Sequence, residues 1–191
     1  MPSYFDSMRT EELLRVRRIS IALLSAGLAA LSFAALLLAS ERPVPALAVA
    51  PPGPGGATNL LLAPGLSFTD DSSSNFPIRG ENLREGRIAS DRATAIFFGT
   101  SHCWNTNREA ERFVALYRKK KDAARFLVVD LDDPSPEQRA LGARFYHGAI
   151  PTLAFLDRRG NAVYNQAGET ARQRGDASAL EEILRRAEGA R

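Results

Sequence analysis

Residues 95–106 constrain the fold of this chain most, because they lead from an apolar run to the chain's only cysteine. Their sequence is AIFFGTSHCWNT, in which a glycine and small polar residues separate the apolar run from Cys103. A short apolar run that ends at turn residues indicates a buried strand, and a helical pattern of apolar residues follows the cysteine. The sequence therefore places the single thiol at the edge of a sheet, between a strand and a helix.

The apolar residues of the C-terminal half predict alternating strands and helices. Strands are predicted at residues 93–98, 126–131, 152–156 and 162–165, and helices at residues 107–121, 134–146 and 178–187. Alternation of strands and helices gives parallel strands joined by a crossover helix, and the short link before the last strand predicts an antiparallel hairpin. The fold class is therefore α/β, with a mixed sheet.

The first 39 residues predict a membrane anchor. Residues 1–18 are polar and carry four arginines, and residues 19–39 contain no charged side chain. As a helix, the second segment would be about 31 Å long, which matches a bilayer hydrocarbon core of roughly 30 Å. The arginines predict a cytoplasmic N-terminal segment, residues 1–18. The chain beyond the single-pass anchor is then extracytoplasmic, in the periplasm of a bacterium.

A cleavable signal peptide is the alternative for this segment. Residues 46–50 resemble a small-residue cleavage site, whereas the apolar run is longer than the about 7 to 15 residues of such peptides. Arg17 and Arg18 also resemble a twin-arginine signal, although the residues after them fit it poorly. The uncleaved anchor is the preferred interpretation.

Residues 40–81 are rich in proline, glycine and serine, which is typical of a semi-extended spacer. An apolar island at residues 60–66 lies inside this stretch, and residues 67–80 are predicted to be irregular. The folded domain is therefore expected at residues 82–191. No pattern in the sequence indicates an oligomeric state.

The composition excludes several function classes. A single cysteine rules out a disulfide framework within the chain and any zinc site built on several cysteines, and only two histidines are present. The formal net charge is +3, and the short basic cluster at residues 118–121 is interpreted as a solvated helix end. The sequence therefore predicts no nucleic-acid partner, no metal and no other cofactor.

Three local motifs, taken in order, resemble the thioredoxin family. Residues 98–103 are similar to the run in which an aromatic side chain precedes the first active-site cysteine by five positions. Residues 129–132 resemble the central strand, and residues 149–157 with Gly160 resemble the segment that carries a cis-proline. The resemblance covers about residues 82–188. It implies a three-layer thioredoxin-like sandwich in which a cis Pro151 faces Cys103.

The sequence departs from this family at the active site. Members that reduce or form disulfides carry Cys-x-x-Cys, whereas Thr106 stands where the second cysteine would be, and His102 stands where a tryptophan is common. The second cysteine normally breaks the mixed disulfide that the first one forms. Without it, a thiol from outside the chain must release the mixed disulfide.

The resemblance implies two hypotheses for function. The first is a membrane-anchored extracytoplasmic protein that acts in monothiol thiol–disulfide exchange or client binding, with protein clients or small thiols as partners. If it is an enzyme, it is a thiol–disulfide oxidoreductase of monothiol type. The alternative is a redox-inactive thioredoxin-like module that binds a protein partner at the membrane. The site residues implied are the nucleophile Cys103, its tuning neighbours His102 and Thr106, the groove-forming Pro151, and the client contacts Trp104, Ile150 and Thr152.

The reactivity of Cys103 depends on where the following helix begins. At the helix N-terminus, the dipole and a hydrogen bond from the Thr106 hydroxyl would favour the thiolate. Residues 106–109, however, fit a capping box that would start the helix after Thr106 and leave Cys103 in the loop as an inert small hydrophobe. His147 is the one candidate for a Cys–His hydrolytic pair, and a surface position is preferred for it.

Overall fold

The computed structural model describes residues 55–168 and 174–190. The predicted cytoplasmic segment, the predicted anchor and the first part of the predicted spacer lie outside these residues. In the part of the chain that is described, no helix is long and apolar enough to cross a membrane. The elements are β1 (Thr58–Leu62), β2 (Ile78–Glu81), β3 (Thr94–Gly99), α1 (Trp104–Lys120), β4 (Arg125–Asp130), α2 (Pro136–Phe145), β5 (Thr152–Leu156), β6 (Ala162–Ala167) and α3 (Ser178–Gly189).

The main sheet has four strands in the order β4-β3-β5-β6. Strands β3 and β4 are parallel, with Thr94 opposite Arg125, whereas β3 and β5 are antiparallel, with Phe98 opposite Thr152. Strand β6 pairs with β5 as the antiparallel hairpin that the sequence predicted. This order of mixed strands with three helices matches the expected thioredoxin-like fold.

Helices cover both faces of the sheet, and the residues of β3 alternate between two cores. Ala95 and Phe97 belong to the core under α1 and α3, and Ile96 and Phe98 belong to the core under α2. All four side chains are fully buried. A strand that is covered on both faces has no polar face, which explains the continuous apolar run in the sequence.

The second half of the predicted spacer is folded. Strands β1 and β2 form a two-stranded antiparallel sheet, and Leu60 and Ile78 bury their side chains in the core under α1. The Ala57 N–H donates to the Phe126 carbonyl of β4 (2.8 Å), and the Asn59 N–H donates to the Tyr117 hydroxyl of α1 (2.9 Å). Residues 57–81 therefore belong to the folded unit, which extends the domain beyond the expected boundary at residue 82.

Candidate functional site around Cys103

The end of β3 lies against the first turn of α1. A Cβ added at Gly99 would be 2.5 Å from Thr106 Cγ2 and 2.7 Å from the Phe97 ring, so only glycine fits there. The Leu131 N–H donates to the Gly99 carbonyl (2.9 Å) and holds the strand end to the segment that follows β4. The thiol-bearing turn therefore starts from a rigid strand end.

Cys103 is the N-cap of α1. Its backbone is extended (φ −138°, ψ 108°), and its carbonyl accepts a hydrogen bond from the Asn107 N–H (3.1 Å). Cys103 is half-buried and its thiol is free. The interpretation that Thr106 caps the helix is therefore wrong, because helical backbone begins at Trp104. The chain here follows the alternative in which the thiol lies at the helix N-terminus.

Thr106 packs under the site and does not hydrogen-bond to the sulfur. Its side chain is completely buried inside the first turn of α1 and touches Gly99. Its hydroxyl has no hydrogen-bond partner among the described residues. The hydrogen bond to Cys103 that the sequence suggested is therefore not formed, and Thr106 contributes packing at this position.

The turn before Cys103 is held by a carboxylate from the neighbouring loop. The Ser101 N–H donates to Asp132 (2.8 Å), and the Asp132 N–H in turn donates to Asp130 (3.0 Å). Burial raises the pKa of the Asp130 carboxyl. His102 is exposed, and its backbone is left-handed (φ 51°), which is uncommon for a residue with a side chain. His102 therefore directly precedes Cys103 in the turn and is exposed to solvent.

Pro151 follows a cis peptide bond, as the resemblance implied. The pairing of Phe98 with Thr152 continues toward Gly99 and Pro151, so the proline lies at the same sheet edge as the cysteine turn. The Gly168 N–H donates to the Pro151 carbonyl (2.7 Å). This edge of the sheet therefore brings together the cysteine motif and the cis-proline motif, which lie far apart in the sequence.

The three predicted client contacts differ in exposure. Trp104 and Ile150 are half-buried and retain accessible surface. The Arg108 guanidinium lies over the Trp104 ring, 5.4 Å from its centroid. Thr152 is buried, and its hydroxyl donates to the Ala149 carbonyl (2.5 Å). Trp104 and Ile150 therefore have accessible surface for a client, whereas the Thr152 side chain has almost none.

A loop that the sequence left irregular covers the helix N-terminus. We name residues 66–76 the strap. Asp71 Oδ1 accepts a hydrogen bond from the Trp104 N–H (2.8 Å), and Asn107 Nδ2 donates to the Ser67 carbonyl (2.6 Å) and to Ser73 Oγ (3.0 Å). These residues were missed because each acts on a partner more than thirty positions away, and no local motif connects them.

The two histidines are the remaining candidates for a catalytic or metal centre with the thiol. His147 is exposed, and its Nε2 lies 3.0 Å from Asn165 Nδ2 on β6. Within the described residues, no group of three or more histidine, cysteine, aspartate or glutamate side chains is arranged to hold a metal ion. The surface position preferred for His147 from the sequence agrees with its exposure.

No protein-family model and no curated protein matches this sequence. Thioredoxin-2 of the malaria parasite, described as a component of its protein secretion machinery, is 15% identical with a TM-score of 0.41, over 50% of this chain and 82% of that chain. Thioredoxin of Fasciola hepatica is 23% identical with a TM-score of 0.39, over 50% of this chain and 80% of that chain. Chloroplastic thioredoxin z is 15% identical with a TM-score of 0.42, over 52% of this chain and 81% of that chain. Because these scores are low, the thioredoxin-like fold is assigned from the sheet order and the cis-proline segment of the chain itself.

Proposed function

We propose that this protein is a membrane-anchored, extracytoplasmic thioredoxin-like protein that acts through Cys103 as a monothiol, in thiol–disulfide exchange or client binding. The observation that supports the proposal most is the position of Cys103, which is the half-buried N-cap of α1. Backbone N–H groups and the positive end of the helix dipole favour an anion at this position. The cis Pro151 lies at the same edge of the sheet.

The proposed reaction has two steps that balance without a cofactor. The Cys103 thiolate attacks one sulfur of a client or small-molecule disulfide, the Cys103–sulfur bond forms, and the other sulfur leaves as a thiolate. A thiolate from outside the chain then attacks the client or small-molecule sulfur of the mixed disulfide and releases Cys103. Because Cys103 is the only cysteine, the chain cannot complete the second step by itself.

The neighbours of Cys103 take different roles in this proposal. His102 is exposed in the turn directly before Cys103, and in this proposal it is the neighbour that tunes the thiol. Trp104 and Ile150 offer half-buried apolar surface for a client, and Pro151 shapes the groove between them. Thr106 supports the turn by packing against Gly99.

The strap favours a second candidate function, a redox-inactive module that binds a protein partner at the membrane. The Asp71 carboxylate already binds the N-terminus of α1 through the Trp104 N–H. An anion in that place disfavours a second anion on the adjacent residue. In this candidate the edge around Trp104 and Ile150 binds a partner, and the thiol takes no part in chemistry.

Reaction of the folded protein with 5,5′-dithiobis(2-nitrobenzoate) separates the two candidates. For the monothiol protein, the full chain in mild detergent should release one equivalent of thionitrobenzoate without denaturant, and mass spectrometry should find the adduct on Cys103. After unreacted reagent is removed, excess glutathione should restore the free Cys103 thiol: one glutathione attacks the thionitrobenzoate sulfur and releases Cys103, and a second splits the resulting mixed disulfide and releases the second thionitrobenzoate. Cys103→Ser is the control and should release none.

The opposite outcome is a thiol that reacts only as the protein unfolds. In that case the rate of release would rise with urea in parallel with the loss of helical circular dichroism. Such a result would leave the binding module as the function. The comparison is clean because the chain has no other thiol.

The membrane location is tested with the same cysteine. In intact bacterial cells that express the full chain, a membrane-impermeant maleimide should label Cys103 as well as it does after the inner membrane is permeabilised. If residues 19–39 do not place the domain outside the cytoplasm, labelling should require permeabilisation. Carbonate extraction should leave an uncleaved anchor in the membrane fraction, whereas a cleaved signal peptide would free the domain.

A further inference from the structure

The strap is attached to the site by a small number of polar contacts. Asp71 binds the first N–H of α1, and the buried Asn107 side chain binds Ser67 and Ser73. Ser73 is itself buried, and its hydroxyl also accepts a hydrogen bond from the Ser67 N–H (2.6 Å). The middle of the strap, residues 69–72, is exposed to solvent.

Two aromatic residues hold the ends of the strap. The Phe76 ring lies edge-on to Phe97 of β3, with centroids 6.3 Å apart. The Phe68 ring lies under the Arg174 guanidinium, 4.1 Å from its centroid. The strap thus has an aromatic contact at each end and a polar attachment, Asp71, at the helix N-terminus. A segment with few buried apolar contacts opens at lower free energy than the core around it.

The positive N-terminus of α1 would stabilise both the Asp71 carboxylate and a Cys103 thiolate, and the two negative charges would repel each other. The N-terminus of a helix carries unsatisfied N–H groups and a partial positive charge, and it stabilises an adjacent anion. Asp71 supplies such an anion to the N–H of Trp104, the residue directly after Cys103. A thiolate on Cys103 would therefore form at a helix N-terminus that already binds a carboxylate.

We propose that the strap is an autoinhibitory cover, in which Asp71 lowers the reactivity of Cys103 by occupying the N-terminus of α1. This inference rests on the proposed monothiol function. When a client or partner displaces the strap, the Asp71 carboxylate leaves the N-terminus of α1, and the positive end of the helix dipole acts on the thiolate alone. Asp71 acts through the helix N-terminus and takes no part in the exchange reaction itself.

The chain offers a matched pair of variants for the test. Asp71→Asn removes the charge and keeps a side-chain oxygen that can cap the helix. Asp70→Asn removes the same charge from the neighbouring strap residue, whose carboxylate accepts from the Ser72 N–H (3.0 Å). The probe is iodoacetamide, which is neutral and forms a sulfur–carbon bond with Cys103 as iodide leaves. The full chain in mild detergent is used throughout.

Asp71→Asn should be alkylated about threefold faster than the wild-type protein at pH 7 and low salt, which is the effect of one nearby charge in a water-like dielectric. Asp70→Asn should stay close to the wild-type rate. In 1 M NaCl the advantage of Asp71→Asn should shrink, because salt screens exposed charges. A merely structural role for Asp71 would not give this dependence on salt.

Ser73→Ala provides a second measurement that changes no charge. It removes the acceptor for Ser67 and Asn107 and loosens the strap, so alkylation should again be faster than in wild type at low salt, and this advantage should also shrink in 1 M NaCl because it acts through Asp71. Equal rates for Asp71→Asn and Asp70→Asn would overturn the inference, even if the wild-type protein forms the mixed disulfide. A wild-type protein and an Asp71→Asn variant that both react only as they unfold would overturn the monothiol function on which the inference rests.

Discussion

At the scale of single residues, the site depends on the absence of a side chain at Gly99. The glycine separates the Phe97 ring from Thr106 Cγ2, and a methyl group there would overlap both. Gly99 is also fully buried at the end of a strand, where its neighbours cannot move into solvent. The position of Cys103 relative to the sheet therefore depends on this close approach.

Gly99→Ala should lower the free energy of unfolding by about 1 to 3 kcal/mol, because an overpacked core must displace Thr106 or Phe97. Gly142→Ala is the matched control. A Cβ at Gly142 meets nothing within 4 Å, and the residue lies inside α2, so alanine should stabilise the protein by about 0.5 to 1 kcal/mol. Urea unfolding followed by circular dichroism measures both. Destabilisation of equal size in the two variants would contradict the packing argument.

The site residues that could be predicted from the sequence are those that lie in local motifs. Pro151 follows a cis peptide bond, as the resemblance of residues 149–157 implied, and the position of Cys103 at the start of α1 is one of two alternatives that the sequence left open. Asp71 and Asn107 could not be predicted in the same way. Their partners lie far along the chain, and an aspartate in a polar loop has the same sequence signature whether or not it caps a distant helix.

At the scale of elements, α1 carries a buried ion pair that joins it to the turn before α3. Both Glu109 carboxylate oxygens accept from Arg112 Nη1 at 2.8 Å, and Arg112 Nε donates to the Asp176 carbonyl (2.6 Å). The two side chains are 0% and 1% exposed, so water does not solvate either charge. A buried charge that loses its partner is costly, whereas the intact pair adds little over apolar side chains.

Arg112→Met should therefore lower the free energy of unfolding by about 3 to 5 kcal/mol, since Glu109 loses a cationic partner in the interior. The double variant Glu109→Met and Arg112→Met should regain most of that loss, because no charge remains to be desolvated. Urea midpoints of the two variants and of Glu109→Met alone complete a double-mutant cycle. Additive effects would show that the two side chains act independently.

The elements of the main sheet were predicted well because each has a strong local pattern. Strands β3, β4 and β5 are apolar runs, and α2 and α3 were expected close to their observed bounds. Helix α1 begins three residues earlier than expected, at Trp104, because its cap comes from the backbone of Cys103 and from Asp71. Strands β1 and β2 were missed, since each buries few apolar side chains and depends on pairing across the strap.

At the scale of the whole molecule, the folded unit is larger than the thioredoxin-like part. The added residues 57–81 supply the two-stranded sheet, pack on α1 and carry the strap to the site. Composition alone assigned this stretch to a spacer, because proline, glycine and serine are as frequent in extended chain as in loops between short strands. A tertiary contact such as the hydrogen bond from the Asn59 N–H to the Tyr117 hydroxyl cannot be recognised from the sequence of either segment.

A shortened chain tests whether residues 57–81 are part of the fold. The fragment 55–191 keeps Leu60 and Ile78 in the core, and the fragment 82–191 removes both. Each buried aliphatic side chain is worth about 1.5 to 3 kcal/mol, so the shorter fragment should be less stable by at least about 3 kcal/mol and expose apolar surface of α1. Urea unfolding should give a lower midpoint for 82–191, and binding of a fluorescent apolar dye should increase. Equal midpoints would show that β1 and β2 add no stability to the domain. The domain boundary would then lie at residue 82, as the sequence predicted.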